Sequence, residues 1–183
     1  TNRVQEFTYY KTGQLKSEKQ FLIYNDKKLD GNDLWYDANG QLRGERKYKN
    51  GKIDGVFKTY WKDGKVKRHD LFKNDTLIQG SCYDSKGKKV DYYDYFIAAS
   101  FPDGKAALMK FLVNELRYPE TAITYNVEGK VFIRFVVEKN GSITQIEVNR
   151  SVDEELDAEA LRIVKKMPKW IPGRIDGEIV RMT

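Results

Sequence analysis

A repeat limits what this chain can fold into more than any other feature. Tyr9, Tyr36, Tyr60 and Tyr83 each stand four positions before a glycine, at Gly13, Gly40, Gly64 and Gly87, in the phrases YYKTG, YDANG, YWKDG and YDSKG. A second phrase interleaves with the first: YNDKKLDG from Tyr24, YKNGKIDG from Tyr48 and FKNDTLIQG from Phe72, 24 residues apart. The unit is therefore about 24 residues with two strands and two turns. Clusters of Asn, Asp, Gly and Lys turn the chain, and runs such as Val56-Phe57-Lys58-Thr59-Tyr60 form short strands. One hairpin alone is marginal, so stacked neighbours must supply the core.

The rhythm stops near residue 90. Asp91 to Ser100, DYYDYFIAAS, has no Gly or Pro and reads as a last strand leading stiffly into a second domain. Beyond it, Gly129 to Arg150 carries a hairpin signal. Val131, Ile133, Phe135 and Val137 fall on one face of a strand, and Phe132, Arg134, Val136 and Glu138 on the other. Asn140-Gly141 reads as the positive-φ pair of a tight turn, and the chain returns through Ile143, Ile146 and Val148. Ile143 is out of phase, which predicts a bulge or a late strand start.

Two helices flank that hairpin. Ala107, Leu108, Phe111, Leu112 and Leu116 share a helical face, with Asp103 or Gly104 at the start and Pro119 as the stop after Tyr118; one short turn is expected over 120–125. Leu156, Ala160, Ile163, Val164 and Met167 form the second face. Asp153 or Ser151 starts that helix, acids crowd its first turns, and Lys165 and Lys166 close it before Pro168. Trp170 is expected to pack on the sheet, and Asp176-Gly177 to turn the chain into a final strand. The fold class is mixed: an all-β array of antiparallel hairpins over residues 1–95, then a small α+β domain over 96–183 with two helices packed on an antiparallel sheet.

These ordered phrases carry two family likenesses. YPETA before the first long strand, EKNGSI at its turn and LDAEALRIVKKMPKWIPG after it resemble the C-terminal domain of TonB, the periplasmic energy transducer of Gram-negative bacteria, over Phe101 to Thr183. The tyrosine and glycine phrases resemble bacterial MORN-type repeats over residues 5–90. The TonB likeness implies a periplasmic transducer or adaptor that binds the TonB-box peptide of an outer-membrane receptor by β-strand addition. It also implies coupling to an inner-membrane motor complex through an N-terminal anchor. Carried over by position, Glu178, Ile179, Val180, Arg181, Met182 and Thr183 are the partner-binding strand. Relatives run several residues further, into an apolar strand, so the end at Thr183 reads as a truncation. The long Pro-rich spacer of TonB has no counterpart among these 183 residues.

An alternative makes the protein a soluble envelope binding or scaffold protein whose repeats recognise a protein or glycan. Trp35, Tyr36, Tyr48, Tyr60 and Trp61 are then the candidate repeat surface, against the plainer reading that they stack between repeats. Enzymatic chemistry finds no footing: Cys82 and His69 are the only residues of their types, and no nucleophile–base pair, metal-ligand cluster or phosphate loop stands out. No catalytic residue, metal or cofactor is expected. Cys82 reads as buried and inert, and His69, in KVKRHD, as part of a solvated strand. The net charge of +6 lies before residue 100, where 20 basic residues face 14 acidic ones. Both signs alternate there, as on a solvated sheet face, and no helix or aromatic platform points to nucleic acid.

Overall fold

The computed structural model describes residues 3–22 and 28–183. Tyr24 and the first of the second-class turns lie outside them. Two compact units divide between Tyr93 and Asp94, two residues before the boundary that the sequence suggests.

The first unit is one antiparallel meander of eight strands, each paired with its neighbours in chain order: β1 (Arg3–Tyr9), β2 (Leu15–Leu22), β3 (Leu29–Tyr36), β4 (Leu42–Lys49), β5 (Lys52–Tyr60), β6 (Val66–Lys73), β7 (Thr76–Tyr83) and β8 (Lys89–Val90). The tyrosine phrases make one turn four times over. Tyr10, Asp37, Trp61 and Asp84 each donate N–H to the carbonyl four residues on and accept from the glycine three residues on. Those glycines have φ of 80 to 87°, which a residue without Cβ adopts freely. The second-class turns have two central residues at positive φ, Asn50-Gly51 and Asn74-Asp75. Each is tied to the preceding repeat: Gly51 donates to the Leu29 carbonyl, and Asp75 to that of Ile53.

The registers place Asp33, Arg46, Phe57 and Asp70 side by side in one row, and Trp35, Gly44, Thr59, Arg68 and Cys82 in the next. Most of the buried residues of this unit, Asp33, Phe57, Thr59, Arg68, Asp70 and Cys82, lie on that face. Its core is built from one sheet, covered by long side chains. Arg46 stacks between the Trp35 and Phe57 rings at 5.0 and 4.5 Å, so its aliphatic stem shields apolar surface. Alternating charge therefore marks a self-covered core face, and the solvated reading of KVKRHD is corrected. Lys67, Arg68 and Asp70 are buried, while His69 is exposed as expected.

The junction also differs from expectation. Asp91 to Asp94 form no strand. Tyr92 and Tyr93 lie over Arg68, and Phe96–Ile97 is a short strand, β9, of the second unit.

That unit holds α1 (Gly104–Glu115), α2 (Glu120–Thr124), β10 (Phe132–Val137), β11 (Ile143–Arg150), α3 (Glu154–Lys166), β12 (Arg174–Ile175) and β13 (Glu178–Ile179). β10 and β11 form the hairpin, and β13, β12 and β9 a three-stranded sheet in that order. The turn at Gly141 repeats the geometry of the array: Glu138 donates to the Ser142 carbonyl, and Gly141, at φ 83°, to that of Glu138. Only Gly141 of the Asn-Gly pair takes positive φ, because the loop has three residues rather than two. The phase slip of Ile143 is a bulge at Gln145, φ 50°.

Phe101, Val136, Val137, Leu156, Ile163 and Val164 are core, and Trp170 packs edge-on against Phe101 and Phe135. Asp153 caps α3 by accepting from Glu155 and Leu156 N–H. α1 departs from expectation at both ends. Asp103 takes a left-handed conformation and its side chain caps nothing. The helix stops at Glu115, three residues before Tyr118, where Arg162 of α3 donates to the Glu115 carbonyl at 2.5 Å. Leu116 is consequently extended and exposed instead of closing the apolar face.

Candidate functional site

Asp176 and Gly177, at φ 50 and 79°, make a two-residue turn that folds Glu178–Ile179 back on Arg174–Ile175. Val180 donates to the Gly173 carbonyl at 3.0 Å. Met182 then exchanges both backbone bonds with Val137 of β10, at 2.7 and 3.0 Å. Backbone groups alternate in direction along an extended chain. Glu178, Val180 and Met182 therefore face the protein, while those of Ile179 and Arg181 face outward at the sheet edge.

The side chains around this edge are held in place. Glu138 accepts from the Thr144 hydroxyl at 2.7 Å and from Arg181 Nε at 3.0 Å. The Thr144 hydrogen bond first, then Arg181, hold its carboxyl below the usual carboxylate range. Ile179 and Arg181 are exposed; Val180 and Met182 are half-buried. A pocket of about 480 Å³ opens beside Met182 and Thr183, with Phe96, Phe135, Val137 and Trp170 in its wall. The buried Trp170 Nε1 has no hydrogen-bond partner among the described residues. A second apolar hollow, about 400 Å³, lies between α1, α3 and β10.

Of the six predicted residues of the C-terminal strand, Glu178 and Ile179 form β13 and Met182 makes an isolated bridge to Val137, whereas Val180, Arg181 and Thr183 belong to no strand. The five repeat aromatics are not gathered. Trp35 and Tyr48 lie on the core face of the array, whereas Tyr36 and Tyr60 follow Leu34 and Lys58 on the opposite face. All five are half-buried. Trp61 Nε1 donates to the Tyr83 carbonyl and the Tyr60 hydroxyl to Glu45 Oε1; burial, followed by that carboxylate, pushes the Tyr60 phenol well up. These contacts join neighbouring repeats.

Sequence reasoning missed one cluster. Arg68 Nη1 meets Asp70 Oδ2 at 2.8 Å, and Arg68 Nη2 donates to the Tyr93 carbonyl at 2.6 Å. The signal was available in the Arg and Asp two apart on one strand face, followed by the Tyr pair just past the last repeat. Among the described residues no group of three His, Cys, Asp or Glu could hold a metal. Among the described residues no helix is long and apolar enough to cross a membrane.

Fold and edge together define a hairpin-repeat array joined to an α+β domain with an open edge strand. Comparison with known families gives both parts a relation. Residues 114–183 match the family described as Gram-negative bacterial TonB protein C-terminal, and residues 5–22, 29–50 and 53–74 match the MORN repeat variant. The second unit is TonB-like, and most of α1 precedes the matched residues. The turn at Asp84 lies beyond the matched repeats yet has their geometry. The chain matches no curated protein and no solved structure.

Proposed function

We propose that the protein is a periplasmic TonB-like adaptor that captures the TonB-box peptide of an outer-membrane receptor by strand addition, in support of transport across the outer membrane. The observation that carries this reading is the alternation along the C-terminal edge: Val180 and Met182 bond inward to Gly173 and Val137, so the backbone groups of Ile179 and Arg181 point away from them. Glu178 pairs with Ile175, and β13 is the edge of its sheet. An extended peptide needs only such an unpaired edge for its main-chain bonds. The repeats serve as a spacer or second docking surface, and an anchor in the inner membrane links the protein to its motor complex.

The test titrates the whole chain with TonB-box peptides, alongside Ile179→Pro and Arg181→Pro. Each substitution removes an outward N–H and spares the bonds to Gly173 and Val137. Saturable binding by the native chain, weakened at least tenfold by either proline, is expected. Absence of binding, or binding that ignores both prolines, overturns the proposal.

A further inference from the structure

Helix α1 carries two apolar stripes where a surface helix needs one. The inner stripe, Ala107, Leu108, Phe111 and Leu112, is half-buried and packs toward Phe101, whose ring centre stands 5.5 Å from that of Phe111. The outer stripe is Ala106, Met109 and Val113, three and four residues apart and so on one face. Met109 is 51% and Val113 72% exposed, and Leu116, just past the helix, is 56% exposed. The outer stripe precedes residue 114, where the match to the TonB family begins, so that likeness does not account for it.

Cations border the outer stripe on both sides. Lys105 stands one turn before Met109 on one flank, and Lys110 one turn after Ala106 on the other. Both are exposed, as is Arg117 beyond the helix end. The only acid in the helix, Glu115, is half-buried on the inner side, where Lys166 and Arg162 meet its carboxylate at 2.9 and 3.7 Å. The exposed carboxylates nearest in sequence, Asp103 and Glu120, lie off the two ends of the helix. We propose that the outer face of α1 is a membrane-contact surface, seating its apolar stripe among the headgroups of an anionic phospholipid layer with Lys105 and Lys110 extended to the phosphates.

Shape and charge select this occupant. The face is convex and its backbone groups are spent inside the helix, so no peptide strand can add to it. A coiled-coil partner would need a seam of about three or four heptads, and α1 has 12 residues. A second copy would meet like charge. Packed parallel, Lys105 would face the partner's Lys110; packed antiparallel, each lysine would face its own counterpart. A lipid layer asks for neither a groove nor a long seam. It needs protruding apolar side chains, with flanking cations whose stems lie along apolar surface while their ammonium groups stay at the headgroups.

Co-sedimentation of the whole chain with phosphatidylcholine vesicles, with and without phosphatidylglycerol, reads the contact directly. Saturable binding to the anionic vesicles is expected, at least tenfold stronger than to the neutral ones and weakened by salt. Val113→Glu puts a carboxylate into the stripe at an exposed position, and Lys105→Glu with Lys110→Glu reverses both flanks. Each should weaken binding at least tenfold with unchanged circular dichroism. A polarity-sensitive dye on Val113→Cys should shift to the blue on binding, with Cys82 buried and unlabelled. The excess of basic residues lies in the repeat array, so vesicle binding that survives both variants, or a dye that stays in water, assigns the attraction to the array and overturns the proposal. Absence of binding to anionic vesicles overturns it as well, as does a dimer in sedimentation without vesicles that Val113→Glu abolishes.

Discussion

Arg68 Nη1 lies 2.8 Å from Asp70 Oδ2, with 0% of the arginine side chain and 1% of the aspartate side chain open to solvent. A buried ion pair adds little net stability, because desolvation cancels most of the attraction, but breaking it strands a charge. Asp70→Ala should therefore lower unfolding free energy by about 3–5 kcal/mol. The joint replacement Arg68→Met with Asp70→Leu should cost less than Asp70→Ala alone. Urea melts of the single and double variants measure this coupling, and equal losses would show that the pair does not act as a unit.

Two glycines in turns of the same geometry should respond differently to one methyl group. Gly87 and Gly141 have φ of 87 and 83°, so alanine at either pays the left-handed strain of about 1–2 kcal/mol. At Gly87 a Cβ meets nothing within 4 Å. At Gly141 it runs into the Trp170 carbonyl, a backbone atom held by the neighbouring bond from Trp170 N–H to the Gly141 carbonyl. Gly141→Ala should be the more damaging by more than about 1 kcal/mol, read as separate losses in thermal melts.

Arg162, in the body of α3, holds the end of α1. It donates to the Glu115 carbonyl and to both carboxylate oxygens of Glu159, while Glu159 Oε1 also accepts from Arg117 N–H at 2.7 Å. Arg162→Ala should release the end of α1 and destabilise the fold. Arg162→Lys should recover less than half of the loss, since an ammonium cannot fork between the carboxylate and the carbonyl. Amide hydrogen exchange at Leu116 and Arg117, fast in both variants and slow in the native protein, checks the mechanism.

What was legible in the sequence follows the range of each interaction. Turns are local, so the tyrosine–glycine phrases located all four bulged turns of the array. Hydrophobic period located β10, β11 and α3, and the Asp176-Gly177 pair located the turn into the edge segment. The stop of α1 was hidden because Arg162, 47 residues from Glu115, sets it. β9 and β12 were hidden because two residues carry no period. The burial of Arg68 and Asp70 was hidden because alternating charge looks the same on a solvated face as on one covered by its own arginines. At the candidate site, sequence offered the segment Glu178 to Thr183, but its inward and outward sides became visible only through the pairing of Met182 with Val137.

Asp30 and Asp33, three residues apart on β3, should give opposite pH signatures. Asp30 accepts from Asn50 N–H at 3.0 Å and from Arg3 at 2.6 and 2.9 Å; the Asn50 bond first, then Arg3, lower its pKa below the ordinary 3.8. Asp33 is pushed up by burial, only partly offset by Lys19 and Arg46. The folded protein thus binds the Asp30 proton more weakly than the unfolded chain does, and the Asp33 proton more tightly. The contribution of Asp30 is fully present above the ordinary carboxylate pKa and is lost as pH falls through its lower folded value. Asp33 does the reverse: its cost is absent below the ordinary carboxylate pKa and grows as pH rises to its higher folded value. At neutral pH, Asp30→Asn should therefore destabilise by about 1–2 kcal/mol, while Asp33→Asn should stabilise. Both differences should shrink toward zero as pH is lowered through the carboxylate range. Denaturant midpoints of the native protein and the two variants between pH 3 and pH 8 test the signs, and a destabilising Asp33→Asn at neutral pH would mean that Lys19 and Arg46 outweigh burial at that carboxylate.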